Sequence, residues 1–108
     1  MKFSFLERPQ FTKKVVKIVE EDNYFALQNF LLENPDWGDV VPRLSYPIRK
    51  IRWKIKGRGK RGGVRIVYYL AKSDDYIIFL DIWAKNEKKD LSTDEYKNLC
   101  HFLAEIGL

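Results

Sequence analysis

"IRKIRWKIKGRGKRGGVRIVYYL", Ile48 to Leu70, sets two apolar, β-rich segments on either side of a basic, glycine-rich centre. From Lys50 to Lys56 basic and apolar residues alternate, the period of a strand with one buried face. Ile51, Trp53 and Ile55 share that face, while Lys50, Arg52, Lys54 and Lys56 line the other. "VRIVYYL" closes the stretch with β-branched and aromatic residues and reads as a second strand. Between them lie Gly57, Gly59, Gly62 and Gly63, interleaved with Arg58, Lys60 and Arg61. The glycines allow a tight hairpin, and the basic residues continue the charge of the first strand through it.

Outward from the hairpin, "YIIFLDIWA" gives a third strand across a polar turn at Ser73, Asp74 and Asp75, so an antiparallel three-stranded meander is expected. Beyond it Ser92 and Glu95 have the spacing of a capping box, with Leu91 and Tyr96 placed as its hydrophobic staple. Tyr96, Leu99, Cys100, Leu103 and Ile106 form the apolar stripe of a terminal helix. In the other direction, "NPDWGDVVPRLSYP" carries three prolines and a glycine and reads as an irregular connection. Before it a helix carrying Phe25, Leu27, Phe30 and Leu31 is expected, capped by Asp22 and ended before Pro35. Val15, Val16, Ile18 and Val19 mark an earlier helix, from about Thr12 to Glu20, with Pro9 suited to its opening turn. "KFSFL" alternates as a short first strand. The order strand, helix, helix, strand, strand, strand, helix predicts an α+β domain with a mostly antiparallel sheet, helices against one face and the basic face left open.

The chain of 108 residues suits one domain, and 45% hydrophobic with 15% aromatic residues argues for a packed core. Charge is unevenly placed. Val40 to Ser73 holds 11 of the 20 Lys and Arg and no acid; the remainder sets nine bases against all 15 acids, a net −6. A one-sign patch attracts a polyanion, so an acidic partner is expected. Glu7 and Arg8 fall where a signal peptide would need its apolar stretch, and no window is long enough to span a membrane, so a cytoplasmic location is expected. The one cysteine, Cys100, has no intrachain disulfide partner, and no Cys/His cluster suggests a metal site or cofactor.

Sheet alternation puts Arg52 and Lys56 on one face, and pairing with the next strand brings Arg65 beside them. Like charges opposed in a sheet repel, which points to a missing counter-charge, with phosphate the obvious candidate. RNA supplies its own nucleophile in the 2′-hydroxyl. Cleavage then needs an aligned backbone, a base for that hydroxyl, stabilisation of the phosphorane and a proton for the departing 5′-oxygen. The planar forks of Arg52, Arg61 and Arg65 suit phosphate oxygens. His101 lies inside the terminal helix, so a His/His pair is excluded. Glu87 and a lysine of depressed pKa such as Lys56 are equal candidates for the base. Against these stand plainer readings: glycines that only shape a hairpin, solvated loop cations, Glu87 as a salt-bridge or helix-entry residue, and Trp53 and Trp83 as core.

"IRKIRW", "KGRGKRGGVRIVYY" and "AKNEKKDLS" together resemble the RelE/ParE superfamily of bacterial toxins, most closely its HigB-type branch, over nearly the whole chain. In place of that branch's glycine-rich turn before "IRKIRW", this chain has Arg43-Leu44-Ser45-Tyr46-Pro47. The resemblance implies a ribosome-dependent endoribonuclease that cuts messenger RNA in the ribosomal A site and is held inactive by a HigA-type helix-turn-helix antitoxin. Taken with the chemistry above, the expected catalytic residues are Arg52, Lys56, Arg65, Lys85 and Glu87, and the expected RNA contacts are Lys50, Lys54, Arg58, Lys60, Arg61, Asn86 and Lys88. Either Lys50 with Arg52 or Lys54 with Lys56 matches the superfamily's basic strand positions. The superfamily's later arginine falls near Asn86, so Lys85 or Lys88 would stand in for it. Two other readings are a non-catalytic RNA- or ribosome-binding module and a superfamily relative with another target, such as gyrase.

Overall fold

The computed structural model describes residues 3–55 and 63–108. Its elements are β1 (Ser4–Glu7), α1 (Pro9–Ile18), α2 (Glu21–Glu33), β2 (Asp39–Val40), β3 (Ile48–Lys54), β4 (Gly63–Ala71), β5 (Tyr76–Ala84) and α3 (Thr93–Glu105). The expected α+β class and the β3–β4–β5 meander are present, in a five-stranded sheet of order β1-β5-β4-β3-β2. Only β1 runs parallel to its neighbour, pairing Phe5 with Ile77 and Leu6 with Ile78. The tip of the expected hairpin, with Lys56, Arg58, Lys60 and Arg61, lies outside the described residues.

Period-two burial sorts the strands onto two cores. Ile51, Ile55, Val64, Ile66, Tyr68, Ile77 and Phe79 meet Phe11, Val15 and Val19 of the α1 segment and Leu27 and Leu31 of α2. Phe79 is the centre of this packing: its ring stacks on Phe11 at 4.9 Å and on Phe5 at 5.4 Å, with Tyr24 edge-on at 5.6 Å. On the opposite face Ile48, Val67, Ile78, Leu80 and Trp83 pack against Leu91, Tyr96, Leu99, Cys100 and Leu103. The helices therefore do not all lie on one face as expected. The terminal helix takes the second face, because Ile48 lies in phase with Lys50 and Arg52 and supplies an apolar landing there. What stays open is the part of that face beyond α3, where the basic residues of β3 stand.

Local signals fared unequally. The capping box of α3 is formed, with Glu95 N donating to Ser92 Oγ at 3.1 Å and Ser92 N donating to Glu95 Oε1 at 2.9 Å. Asp22 is not a cap; the extended residue ahead of α2 is Glu20, at ψ 153°, and Asp22 sits in the first helical turn. Helix α1 starts at Pro9, earlier than expected, and ends at Ile18. Of its predicted stripe Val16 faces outward, as does Phe25 of α2, while Val15, Val19, Leu27 and Leu31 are buried. Ile106 lies past α3 and is exposed. The proline-rich connection is not wholly irregular: Asp39 pairs with Lys50 and Val40 with Arg49 as a short edge strand. Pro42 and Pro47 lack the N–H a longer ladder would need.

Candidate nucleic-acid interface

The β3–β4 register sets Arg52 directly opposite Arg65, and on its other side Arg65 pairs with Trp83 of β5. Lys50 is two residues back along β3, on the same face. These side chains, with Trp37, Asp39 and Ile51, line a cleft of about 580 Å³. Its floor is rigid, since Trp83 is fully buried and its indole N–H donates to the Lys88 carbonyl at 3.0 Å. Arg52 is exposed and Arg65 half-buried. The Nε–H of Arg65 is buried without a hydrogen-bond partner among the described residues. Burying a donor of a charged group unpaired carries a cost that a hydrogen-bond acceptor would relieve. Two opposed arginines add a smaller cost through mutual repulsion.

Lys50 is held differently. Its Nζ lies 2.7 Å from Asp90 Oδ2, and Asp90 also accepts from the Tyr96 hydroxyl and, at 2.8 Å, from the Leu91 amide. Burial alone would raise the Asp90 carboxyl, yet the hydrogen bonds from Lys50, Tyr96 and Leu91 together hold it below the usual carboxylate range. The Tyr96 hydroxyl is pushed well above its ordinary value by burial and by that same bond to Asp90. A carboxyl whose folded pKa is depressed lends stability above its unfolded value and loses it as pH falls through the folded one. Asp90→Asn is thus expected to flatten part of the acid limb of stability below about pH 4. Unfolding measured from pH 2 to 7 checks this, and an unchanged acid limb would contradict it.

The late motif sits beside the cleft without lining it. Lys85 N donates to the Gly63 carbonyl at 3.1 Å, and its stem covers Gly63 so closely that a Cβ there would lie 2.9 Å from Lys85 Cδ. Glu87 N closes a turn onto the Ala84 carbonyl at 2.9 Å. The side chains of Lys85, Asn86 and Glu87 are exposed. Lys88 Nζ stands 5.5 Å over the Trp83 ring and 3.5 Å from Glu95, a packing and ion-pair position. Lys54 is exposed on β3 opposite Gly63. Trp53 packs its ring 5.4 Å from Phe30 on the α2 side, in the core role its alternation suggests. The structure thus brings together Lys50, Arg52 and Arg65, places Lys85 to Lys88 on the adjoining turn, and adds Trp37 and Asp39. The connection sequence carries no local signal for those two. Among the described residues no cluster of His, Cys, Asp and Glu is arranged to hold a metal ion.

Relief of the opposed charges gives a direct check. Arg52→Gln is expected to stabilise the isolated protein by about 0.2–1 kcal/mol, more at low salt than at high. A stability that falls, or rises equally in both salts, would show that repulsion across the pair is not felt.

A mixed five-stranded sheet with two helices on one face and a third on the other is a RelE-like architecture. The chain matches the structure of the E. coli toxin RelE in its free state, in a mutant form with two arginines replaced by alanine. The TM-score is 0.61 at 14% identity, over 95% of this chain and 99% of that one. At this identity the likeness establishes the fold. No protein-family model matches the chain.

Proposed function

We propose that the chain is the toxin of a type II toxin–antitoxin system, an endoribonuclease of the HigB-type branch that cuts messenger RNA in the ribosomal A site. The observation that carries this reading is the pair Arg52 and Arg65, opposed across β3 and β4 in an open cleft with a buried, unpartnered Nε–H. The scissile phosphate seats between the two guanidinium groups. Their donors stabilise the phosphorane as the 2′-oxygen attacks, and being preorganised by the sheet they need no rearrangement as charge develops. Lys50, paired with Asp90, and Lys54 track the neighbouring backbone phosphates, joined by Arg58, Lys60 and Arg61. The base for the 2′-hydroxyl is drawn from Glu87 and Lys56. Lys85, on the turn against Gly63, donates to the departing oxygen, and Asn86 and Lys88 extend the RNA surface.

No helix among the described residues is long and apolar enough to cross a membrane. The proposed setting is the cytoplasm, with a HigA-type helix-turn-helix antitoxin as the inhibitory partner. Adding the protein to a reconstituted translation reaction tests the reading: synthesis should stop, with the messenger cut at codons held in the A site. Intact messenger on arrested ribosomes would favour a binding module, and unaffected translation would direct attention to another target such as gyrase.

A further inference from the structure

Trp37 is 64% exposed, yet the loop that carries it is tied to the sheet beneath it. Trp37 N donates to the Asn34 carbonyl at 3.1 Å. The Tyr68 hydroxyl, from the middle of β4, donates to the Pro35 carbonyl at 2.8 Å and accepts from Gly38 N at 2.9 Å. Arg49 Nη1 donates to the carbonyls of Asp36, at 2.9 Å, and Gly38, at 2.7 Å. Gly38 itself is pressed against the sheet: a Cβ would lie 2.9 Å from Ile51 Cγ2 and from Tyr68 Cε1. The indole rests edge-on against Phe30, with ring centroids 5.4 Å apart. A large aromatic ring is therefore held out in solvent by five hydrogen bonds to its own loop, at the rim of the cleft that contains Arg52 and Arg65.

Asp39 lines the same cleft and is exposed. A carboxylate there repels a phosphate, so this wall is unsuited to backbone contact. Lys50, the residue opposite Asp39, sends its Nζ to Asp90 instead. The wall thus offers a π-surface and a bare acceptor, while the adjoining wall offers cations. A single-stranded nucleotide presents the matching halves, a flat base with N–H donors and a phosphate.

We propose that Trp37 is a stacking platform for one base of the RNA strand, and that Asp39 accepts a hydrogen bond from that base's amino group. This deepens the RNA-cleaving reading above and rests on it. Aromatic stacking is largely indifferent to base identity, whereas the carboxylate favours adenine, cytosine or guanine, which carry exocyclic amines, over uracil, whose one edge donor, the imide N3–H, is flanked by two carbonyl oxygens. Trp37 and Asp39 are positioning and specificity residues, with no part in the proton transfers.

The test uses the full chain and single-stranded 2′-O-methyl oligonucleotides, which cannot be cut through the 2′-oxygen. Binding is measured for the intact strand and for strands abasic at one position each. Trp37→Ala should weaken binding of the intact strand by about tenfold, with Trp37→Phe restoring most of it. One abasic strand should bind wild type as weakly as the intact strand binds Trp37→Ala, with no further loss when the two are combined. Asp39→Asn should keep affinity but lose the preference against uracil at that same position. Tight, salt-sensitive binding that is unchanged in Trp37→Ala would overturn the stacking platform while leaving the phosphate cleft in place. Loss of affinity for a partner polypeptide alone would assign the rim to that partner and likewise overturn it. If wild type binds no strand at all, the platform is overturned, while messenger cut on translating ribosomes by the same protein would keep the cleavage reading.

Discussion

Arg65→Ala is expected to lower the rate of messenger cleavage by on the order of a hundredfold or more, while ribosome binding weakens only modestly. The asymmetry follows from where the side chain sits. Arg65 is paired with Arg52 on β3 and Trp83 on β5, so its backbone is fixed by two neighbouring strands at the cleft before any ligand arrives. Its contact strengthens as charge accumulates on the phosphorane, which makes it a transition-state interaction. For binding it is one cation among several. The substitution should also leave folding intact, because the buried Nε–H gives up no hydrogen bond when it is removed. The check is a comparison of cleavage rate, ribosome affinity and thermal unfolding for the two proteins. A variant that cuts at the normal rate would reduce Arg65 to surface charge.

The second large effect concerns the fold. Phe79→Ala is expected to cost about 3–5 kcal/mol, a substantial share of the roughly 5–15 kcal/mol available to a small domain. Phe79 is fully buried and touches the rings of Phe5, Phe11 and Tyr24, so it joins β1, α1 and α2 to the sheet through β5. The surrounding aromatic rings are held by different elements and cannot all collapse into the space it leaves. Denaturant unfolding measures the loss. A cost below about 1 kcal/mol would mean that this cluster relaxes freely and that the α1 and α2 layer is held elsewhere.

These two residues show what the sequence makes legible. The alternation from Lys50 onward identifies β3 and its apolar face because burial on one side imposes period two on the chain itself. Ser92 and Glu95 identify the start of α3 because a capping box is closed within four residues. Sidedness of the helices is harder to read. Ile48 carried the signal, an apolar residue in phase with Lys50 and Arg52, but one residue at the end of an alternating run does not say which helix will cover it. The site was half visible: Arg52 and Arg65 follow from strand pairing, whereas Trp37 and Asp39 reach the cleft only because Arg49 and Tyr68, distant in sequence, fold their loop onto the sheet. The cap at Glu20 is of the same kind, set by the reversal between α1 and α2 and not by the residue's own preference.

A cleft that directs the 2′-oxygen of RNA onto its own phosphate leaves its signature in the chemistry of the cut ends. Translating ribosomes programmed with a defined messenger are treated with the purified protein, and the new termini are identified. Internal attack leaves a 5′-hydroxyl on one fragment and a 2′,3′-cyclic phosphate, or the 3′-phosphate from its opening, on the other. Replacing the ribose at the cut site by 2′-deoxyribose should abolish the cut. Fragments bearing 5′-phosphate ends, or cleavage that continues at the deoxy site, would contradict the account.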